Sequence, residues 1–419
     1  MPTPPAAPRL HYAWIVAGTG TLCVFAGLGL GRFSLGMLLP SMSSSLAFSY
    51  AQSGWVGTAN FVGYLAAVLV CGPLSARLGP RRLVFAALLL MAATMLLISR
   101  ARSFAPVLVL YTLTGFGSGA VNVPVMGLVA RWFASAVRGR AAGFVVIGSG
   151  FAIILSGWLV PLVNRRAGAE GWRTSWALLA AIILLVALAA VALLRDRPED
   201  LGLGVLGRAA PPPAEAAPRP PSPPFSSLRS PAVRLLGAIY FLFGSTYVIY
   251  ATFIVTTLVK ERGLSESIAG SFWSVIGFLS LFSGPVFGTL SDRLGRKAGL
   301  SVVFGLQAVA YLLVAAPLPD AALYLSIGCF GVVAWSIPSI MLAAVSDQVG
   351  PEHALSAFGF ITFLFGLGQI AGPAVAGALA ERTGSFRSSF AMAAALAALA
   401  IGLTARLRRP AARDAAPSP

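Results

Sequence analysis

A single arginine, Arg32, lies inside an apolar stretch near the start of the chain, in the run GLGLGRFSLGMLLP. A charged side chain at the centre of a bilayer costs about 2.5 to 3.5 kcal/mol on insertion scales, and such residues usually serve a function. The planar guanidinium group can pair with a carboxylate through two parallel hydrogen bonds. We therefore predict that Arg32 binds an anion. The alternative is that its side chain extends to the outer membrane interface.

The surroundings of Arg32 favour an anionic ligand over a cationic one. At α-helical spacing Gly29, Arg32 and Gly36 share one face, where small residues leave room for a ligand or permit close helix packing. All thirteen acidic residues fall in loops, in the linker, in the tails or at helix ends, so the apolar stretch supplies no counter-ion.

Other apolar stretches carry isolated polar or aromatic side chains that can hydrogen-bond a substrate. The candidates are Asn60, Asn122, Tyr247, Gln369 and Trp335. Groups of this kind also join helices to one another in membranes, and that alternative stays open for each of them.

A short polar loop occurs twice in the chain. The sequence GTLSDRLGRK, Gly288 to Lys297, has a degenerate copy, GPLSARLGPR, 216 residues earlier. Ala76 occupies the aspartate position of the copy, and Pro80 replaces one of its basic residues. The repeat indicates two related halves, as in carriers that rock about a central site.

The composition predicts the secondary structure in which these residues lie. With 57% hydrophobic and only 10% charged residues over 419 positions, the chain is predicted to be an all-α integral membrane protein. Twelve apolar segments are long enough to cross a bilayer as helices. They are predicted at 13–39, 51–75, 82–99, 105–130, 140–163, 174–194, 232–258, 267–290, 299–316, 321–345, 355–380 and 387–406.

The predicted helices form two groups of six. Residues 1–194 and 231–419 are the two predicted bundles, and the Pro- and Ala-rich segment 195–230 is a predicted cytoplasmic linker. More Lys and Arg residues lie on the side of this linker than on the other side, which predicts that both termini are cytoplasmic. The net charge of +17 is explained by the same preference for the inner leaflet, so no nucleic-acid partner is expected.

The chain resembles members of the major facilitator superfamily along essentially its whole length. The most specific similarity is the loop that follows the eighth predicted helix, which matches the signature G-x-x-x-D-[RK]-x-G-[RK]-[RK]. The matching residues are Gly288, Asp292, Arg293, Gly295, Arg296 and Lys297. In the family this cluster helps to close the cytoplasmic gate, and the resemblance implies that role here. The alternative is that Arg293, Arg296 and Lys297 only anchor the topology.

The sequence RDRPEDLGL after the sixth predicted helix and the lone basic residue in the first also resemble bacterial carriers of the monocarboxylate and oxalate/formate type. The resemblance implies a secondary transporter of a small organic anion that works by alternating access in a bacterial cytoplasmic membrane. That branch usually has a further basic residue in helix 8 or 11, which this chain lacks.

Two alternative functions remain open: efflux of amphipathic compounds, and ligand sensing without transport. An enzyme is not expected, because the sequence has no nucleophile–base pair, phosphate loop or metal cluster. Neither a cofactor nor a metal is predicted. The three cysteines all fall in predicted spans. The expected partners are a small anionic substrate and the lipid bilayer, and coupling to a proton or a counter-anion stays open. If transport is proton-coupled, the proton travels with a weak-acid substrate or uses Asp347 or Asp292; anion exchange or facilitated transport needs neither.

Overall fold

The computed structural model describes residues 11–207 and 230–407, and twelve helices in these ranges are long and apolar enough to cross a membrane. In chain order they are α1 (Tyr12–Ser45), α2 (Tyr50–Leu78), α3 (Pro80–Ile98), α4 (Phe104–Trp132), α5 (Ser135–Ala167), α6 (Gly171–Leu193), α7 (Pro231–Glu261), α8 (Glu266–Leu294), α9 (Arg296–Ala315), α10 (Ala321–Val349), α11 (Pro351–Thr383) and α12 (Arg387–Ala405).

The predicted all-α class and the number of spans are confirmed. Several helices continue further than their apolar cores, as at α1, which ends at Ser45 rather than residue 39. The hydropathy pattern locates only the apolar part of a helix, whereas backbone hydrogen bonds and caps determine where it ends. The predicted orientation of the termini and the predicted domain boundaries stay predictions.

The chain divides into two compact units. Over the described residues, the first unit consists of 11–207 and 252–278, and the second of 230–251 and 279–407. Apolar side chains such as Leu69 and Leu185 are about two thirds exposed on the helix surfaces, as expected where lipid replaces water.

Within the first unit, α1 contains a π-helical segment, Phe25–Phe33, that includes Arg32. A Cβ added to Gly29 would lie 2.1 Å from the Cβ of Ala152 on α5, and one added to Gly31 would lie 2.2 Å from Met91 Cε on α3. Glycine therefore allows both close approaches. π-Helical turns are rare and often occur at functional sites.

Helices α2 and α4 also cross closely because glycines lie at their contact. A Cβ on Gly115 would be 1.9 Å from the carbonyl oxygen of Asn60, and a Cβ on Gly63 would be 1.8 Å from that of Thr112. Gly119 faces the carbonyl oxygen of Tyr64 in the same way. Small residues of this kind let membrane helices pack backbone to backbone. The crossing fixes the backbone positions of Asn60 and Tyr64.

In the second unit, α7 and α11 form a comparable glycine contact. Gly244 lies against the carbonyl oxygen of Phe365, and Gly368 against that of Phe241, with hypothetical Cβ distances of 2.4 and 2.2 Å. The rings of Phe243, Tyr247 and Phe365 stack beside this contact, with the Phe243 and Tyr247 centroids 4.9 Å apart. Close packing therefore positions Tyr247 in the second unit.

The start of the predicted linker has a defined conformation. Leu206 forms a parallel bridge with Phe133, and its amide donates to the carbonyl oxygen of Trp132 at 3.0 Å. The indole of Trp132 donates to the carbonyl oxygen of Arg195 at 3.0 Å. Arg195 and Leu206 are therefore held against the end of α4. The rest of the predicted linker up to residue 229 lies outside the described residues.

Candidate functional site

Arg32 is buried in the first unit, with 8% of its surface exposed. Its guanidinium carbon lies 4.6 Å from the centroid of the Phe61 ring and 4.1 Å from that of Tyr64, both on α2. Cation–π contacts of this kind strengthen when they are desolvated. Nη2 is buried and has no hydrogen-bond partner among the described residues. One donor of the guanidinium is therefore available for an acceptor.

Asn60 fixes the orientation of this arginine. Its Oδ1 accepts a hydrogen bond from Arg32 Nε at 3.3 Å, and its Nδ2 donates to the carbonyl oxygen of Gly31 at 3.2 Å. The Tyr111 hydroxyl on α4 donates to the Arg32 carbonyl oxygen at 2.9 Å. Two neighbouring helices thus hold the backbone and the side chain of Arg32 with neutral groups only.

The predicted common face of Gly29 and Arg32 is not seen. Gly29 contacts α5, whereas the guanidinium lies over the rings of α2. The prediction assumed 3.6 residues per turn, and the wider π-helical segment changes that spacing.

Asn122 extends the polar group around Arg32. Its Nδ2 donates to the Tyr64 hydroxyl oxygen at 2.9 Å, while its Oδ1 is buried and has no hydrogen-bond partner. The structure therefore brings Arg32, Asn60 and Asn122 together around the Tyr64 ring. Tyr64 is not among the residues predicted from sequence; an aromatic residue four positions after Asn60, on the same helix face, was the available signal.

The remaining substrate candidates lie together in the second unit. Gln369 Nε2 donates to the Tyr247 hydroxyl oxygen. The rings of Tyr247 and Trp335 meet edge to face, with centroids 5.6 Å apart, and the Trp335 amide donates to Ser283 Oγ at 3.2 Å. These contacts join α7, α8, α10 and α11.

The loop between α8 and α9 brings together most of the predicted gate residues. Arg296 bonds to Asp292 and also donates from Nε to Asp347 Oδ2, on α10, at 2.9 Å. Lys297 Nζ donates to the Ala405 carbonyl oxygen on α12. The Arg296 side chain is 28% exposed, while the two carboxylates are 64% and 41% exposed. The cluster is thus partly exposed to solvent, and it connects the ends of α8, α9, α10 and α12.

The other gate candidates differ in their surroundings. Gly295 has φ +90°, a conformation that L side chains rarely adopt, and it starts α9. A Cβ on Gly288 would lie 3.9 Å from Ser339 Oγ, so its environment is open by comparison. Arg293 is exposed and takes part in none of the described hydrogen bonds or ion pairs. The gate role of Arg293 stays a prediction, with an anchor at the membrane surface as the alternative.

The degenerate loop between α2 and α3 is held differently. Asp196 Oδ1 accepts from the backbone amide of Arg81 at 2.8 Å, so a carboxylate lies at the start of α3. Arg81 Nε donates to the Val191 carbonyl oxygen on α6 at 2.9 Å. Sequence reasoning missed Asp196. This loop has Ala76 where the other loop has an aspartate, and its carboxylate contact comes instead from Asp196, in the segment after α6.

Twelve membrane-spanning helices, a duplicated loop and no extensive sheet in the described ranges define an integral, multi-pass membrane protein with the architecture of a secondary transporter. Over residues 24–405 the sequence matches the family described as "Uncharacterised MFS-type transporter YbfB", and the chain belongs to this family of the major facilitator superfamily. The predicted superfamily is confirmed.

Several proteins similar to this chain are transporters. The hexuronate transporter of Bacillus subtilis (strain 168) is 26% identical over 401 residues, which cover 91% of each protein. Monocarboxylate transporter 11 of Mus musculus is 26% identical over 403 residues, or 93% of this chain and 86% of that protein. A crystal structure of a variant of the nucleoside transporter NupG has a TM-score of 0.73 at 16% identity, covering 94% of this chain and 99% of that one. At this identity the structural likeness shows the fold alone.

Proposed function

We propose that the protein is a secondary transporter that moves a small organic anion by alternating access, with Arg32 as the anion-binding residue. The observation that carries the proposal is a buried guanidinium whose neighbours are all neutral and whose Nη2 has no acceptor. The named relatives transport hexuronate or belong to the monocarboxylate transporters, which supports an organic acid as substrate. We further propose a bacterial cytoplasmic membrane as its location.

The electrostatics of Arg32 support an anion over a neutral or cationic ligand. Ion pairs join Arg173 to Glu170, and Arg296 to Asp292 and Asp347, and Arg32 takes part in none of them. A buried charge without a counter-ion is unfavourable. A substrate carboxylate supplies that counter-ion, and pairing with the fork of the guanidinium gives it a defined orientation.

The gate residues complete the proposal. We assign Asp292, Arg296 and Asp347 to the cytoplasmic gate, where they hold the inner ends of α8, α9 and α10 in one arrangement. Because all three side chains are partly exposed, the cluster can break and re-form at a modest cost in free energy. The coupling ion is proposed to be a proton or a counter-anion.

The test is uptake of radiolabelled carboxylates into proteoliposomes, together with thermal unfolding of the detergent-purified protein in the presence of the same acids. Arg32→Gln should abolish uptake and the thermal stabilisation by carboxylates, because the charge that pairs with them is gone. Arg165→Gln is the matched control: it removes an exposed arginine from α5 and should leave both signals unchanged. Uptake with an imposed pH gradient, or with a trans anion, distinguishes the two coupling modes.

A contrary result would point to efflux. If lipophilic compounds stabilise the wild-type protein and Arg32→Gln equally, and carboxylates stabilise neither, the anion proposal fails. The stacked rings of Phe243, Tyr247 and Phe365 in the second unit are the feature that favours this second candidate. Apolar and aromatic surfaces bind amphipathic ligands without needing a charge partner.

A further inference from the structure

Only one of the two polar atoms in the Asn122 side-chain amide has a hydrogen-bond partner. Nδ2 donates to the Tyr64 hydroxyl oxygen at 2.9 Å, and Oδ1 is buried without a donor. Leaving a buried acceptor unpaired is unfavourable, because the oxygen has lost its hydrogen bonds to water without gaining another. Asn122 therefore has an unmet requirement for a hydrogen-bond donor, and among the residues that the structure describes none supplies one.

The Tyr64 side chain connects this acceptor to the anion-binding arginine. The guanidinium of Arg32 lies 4.1 Å from the Tyr64 ring centroid, and the hydroxyl at the end of the same ring accepts from Asn122. Because the hydroxyl oxygen is the acceptor in that bond, its own proton stays available for another acceptor. Three binding groups therefore lie around Tyr64: the Arg32 cation, the Tyr64 hydroxyl as a donor, and Asn122 Oδ1 as an acceptor.

A carboxylate alone cannot satisfy these three groups. An ionised carboxylate only accepts hydrogen bonds, so it can pair with Arg32 but cannot donate to Asn122 Oδ1. A hydroxyl group both donates and accepts, so one placed beside the carboxylate can donate to Asn122 Oδ1 and accept from the Tyr64 hydroxyl. A ligand that carries both a carboxylate and a hydroxyl can therefore pair with Arg32, Tyr64 and Asn122 together.

We propose that the substrate is a hydroxylated carboxylic acid, and that Tyr64 and Asn122 select for its hydroxyl group while Arg32 binds its carboxylate. This inference rests on the proposed function and narrows it from organic anions in general to hydroxy acids. Sites built to hydrogen-bond a hydroxyl discriminate strongly against analogues that lack it, because their polar groups are then left unpaired.

The experiment compares pairs of acids that differ by one hydroxyl: lactate against propionate, and glycolate against acetate. Binding to the purified full-length protein is measured by titration calorimetry, and each acid is also tested as a competitor of uptake into proteoliposomes. The wild-type protein should bind the hydroxylated member at least about tenfold more tightly. In Asn122→Leu this ratio should approach one, because the acceptor is gone.

Two further variants show whether the preference for the hydroxylated acid comes from Tyr64 and Asn122. Tyr64→Phe keeps the ring that contacts Arg32 but removes the hydroxyl, and it should also reduce the ratio. Thr112→Val, on the same helix as Asn122, removes a hydroxyl that bonds to its own helix at Leu108 and should leave the ratio unchanged. Size-exclusion profiles and thermal midpoints identify a variant that has failed to fold.

The outcomes separate this inference from the proposed function. Equal affinities within each pair in the wild type, or a preference that persists in folded Asn122→Leu and Tyr64→Phe, would overturn the hydroxy-acid inference while Arg32-dependent carboxylate binding leaves the transporter proposal standing. Acid binding that persists unchanged in Arg32→Gln, or no acid binding at all, would overturn both.

Discussion

At the scale of single residues, the central feature is a buried arginine supported by neutral partners. Asn60 and Tyr111 bond to Arg32, and aromatic rings of α2 cover its guanidinium. None of these groups neutralises the charge. The arrangement positions the guanidinium, and in the function proposed above a ligand supplies its counter-charge.

Changes at Asn60 distinguish positioning from charge neutralisation. Asn60→Asp places a carboxylate beside Arg32 Nε, so we expect a thermal midpoint equal to or above that of the wild type and at least about a tenfold loss of carboxylate affinity. Asn60→Leu removes both hydrogen bonds and should reduce the free energy of unfolding by roughly 1 to 3 kcal/mol. Thermal unfolding and carboxylate titration of both variants test this, and unchanged affinity in Asn60→Asp would contradict the role assigned to Arg32.

At the scale of elements, glycines decide where the helices meet. The contact of α2 with α4 brings Asn60 and Tyr64 to Arg32, and it depends on Gly63, Gly115 and Gly119. None of these residues carries any chemistry of its own. Their contribution is to let two backbones approach closely enough for side chains of three helices to share one site.

Adding a single methyl group at this contact should disturb the site. Gly63→Ala places a Cβ 1.8 Å from a backbone oxygen, so the helices must separate; we expect a loss of about 1 to 3 kcal/mol in stability and weaker binding at Arg32. Gly127→Ala is the matched control on α4, since nothing lies within 4 Å of its hypothetical Cβ. Gly63→Ala should have a lower thermal midpoint and a lower carboxylate affinity than Gly127→Ala. Equal values in the two variants would show that the crossing of α2 and α4 tolerates the added methyl group.

The loop between α8 and α9 supports a prediction about shared ion pairs. Asp292→Asn and Asp347→Asn should each cost less than about 1 kcal/mol, because both carboxylates are substantially exposed and Arg296 keeps the other partner. The double variant leaves Arg296 without either carboxylate and should lose more than the sum of the single changes. A double-mutant cycle on thermal stability and on uptake rate tests this coupling; additive losses would show that the two pairs act independently.

At the scale of the whole molecule, the chain is an integral membrane protein whose two compact units each contain one group of substrate candidates. Arg32, Asn60 and Asn122 lie in the first unit, and Tyr247, Trp335 and Gln369 in the second. The two related loops lie in different units, and different carboxylates bond to their arginines. These carboxylates are Asp196 in the first unit, and Asp292 and Asp347 in the second.

The distribution of Lys and Arg predicts which face of the membrane each loop occupies. In a background without native cysteines, Ser103→Cys, between α3 and α4, should react with a membrane-impermeant maleimide in intact cells. Glu199→Cys, after α6, should react only after permeabilisation. Both positions are exposed in the structure, so accessibility within the protein does not limit labelling. The reversed pattern would refute cytoplasmic termini.

The class of protein, the number of membrane spans and the candidate residues could all be predicted from the amino-acid sequence. Twelve apolar segments are a strong signal, because each must satisfy its own backbone in lipid and therefore forms a helix whatever its neighbours do. The intramembrane charge of Arg32 was equally visible, since its cost does not depend on the detailed fold. The repeated loop indicated two related halves.

Which of the candidate residues contact one another could not be predicted and follows from the packing of the helices. The contact of Arg32 with Asn60 and Tyr64, and of Tyr64 with Asn122, depends on the π-helical turns of α1 and on how closely α2 and α4 cross. Asp196 could not be connected with Arg81 from sequence, because 115 positions separate them and the chain folds back to join them. Helix formation follows from local backbone hydrogen bonding, whereas these pairings follow from packing between helices, which a single sequence does not encode in any local pattern.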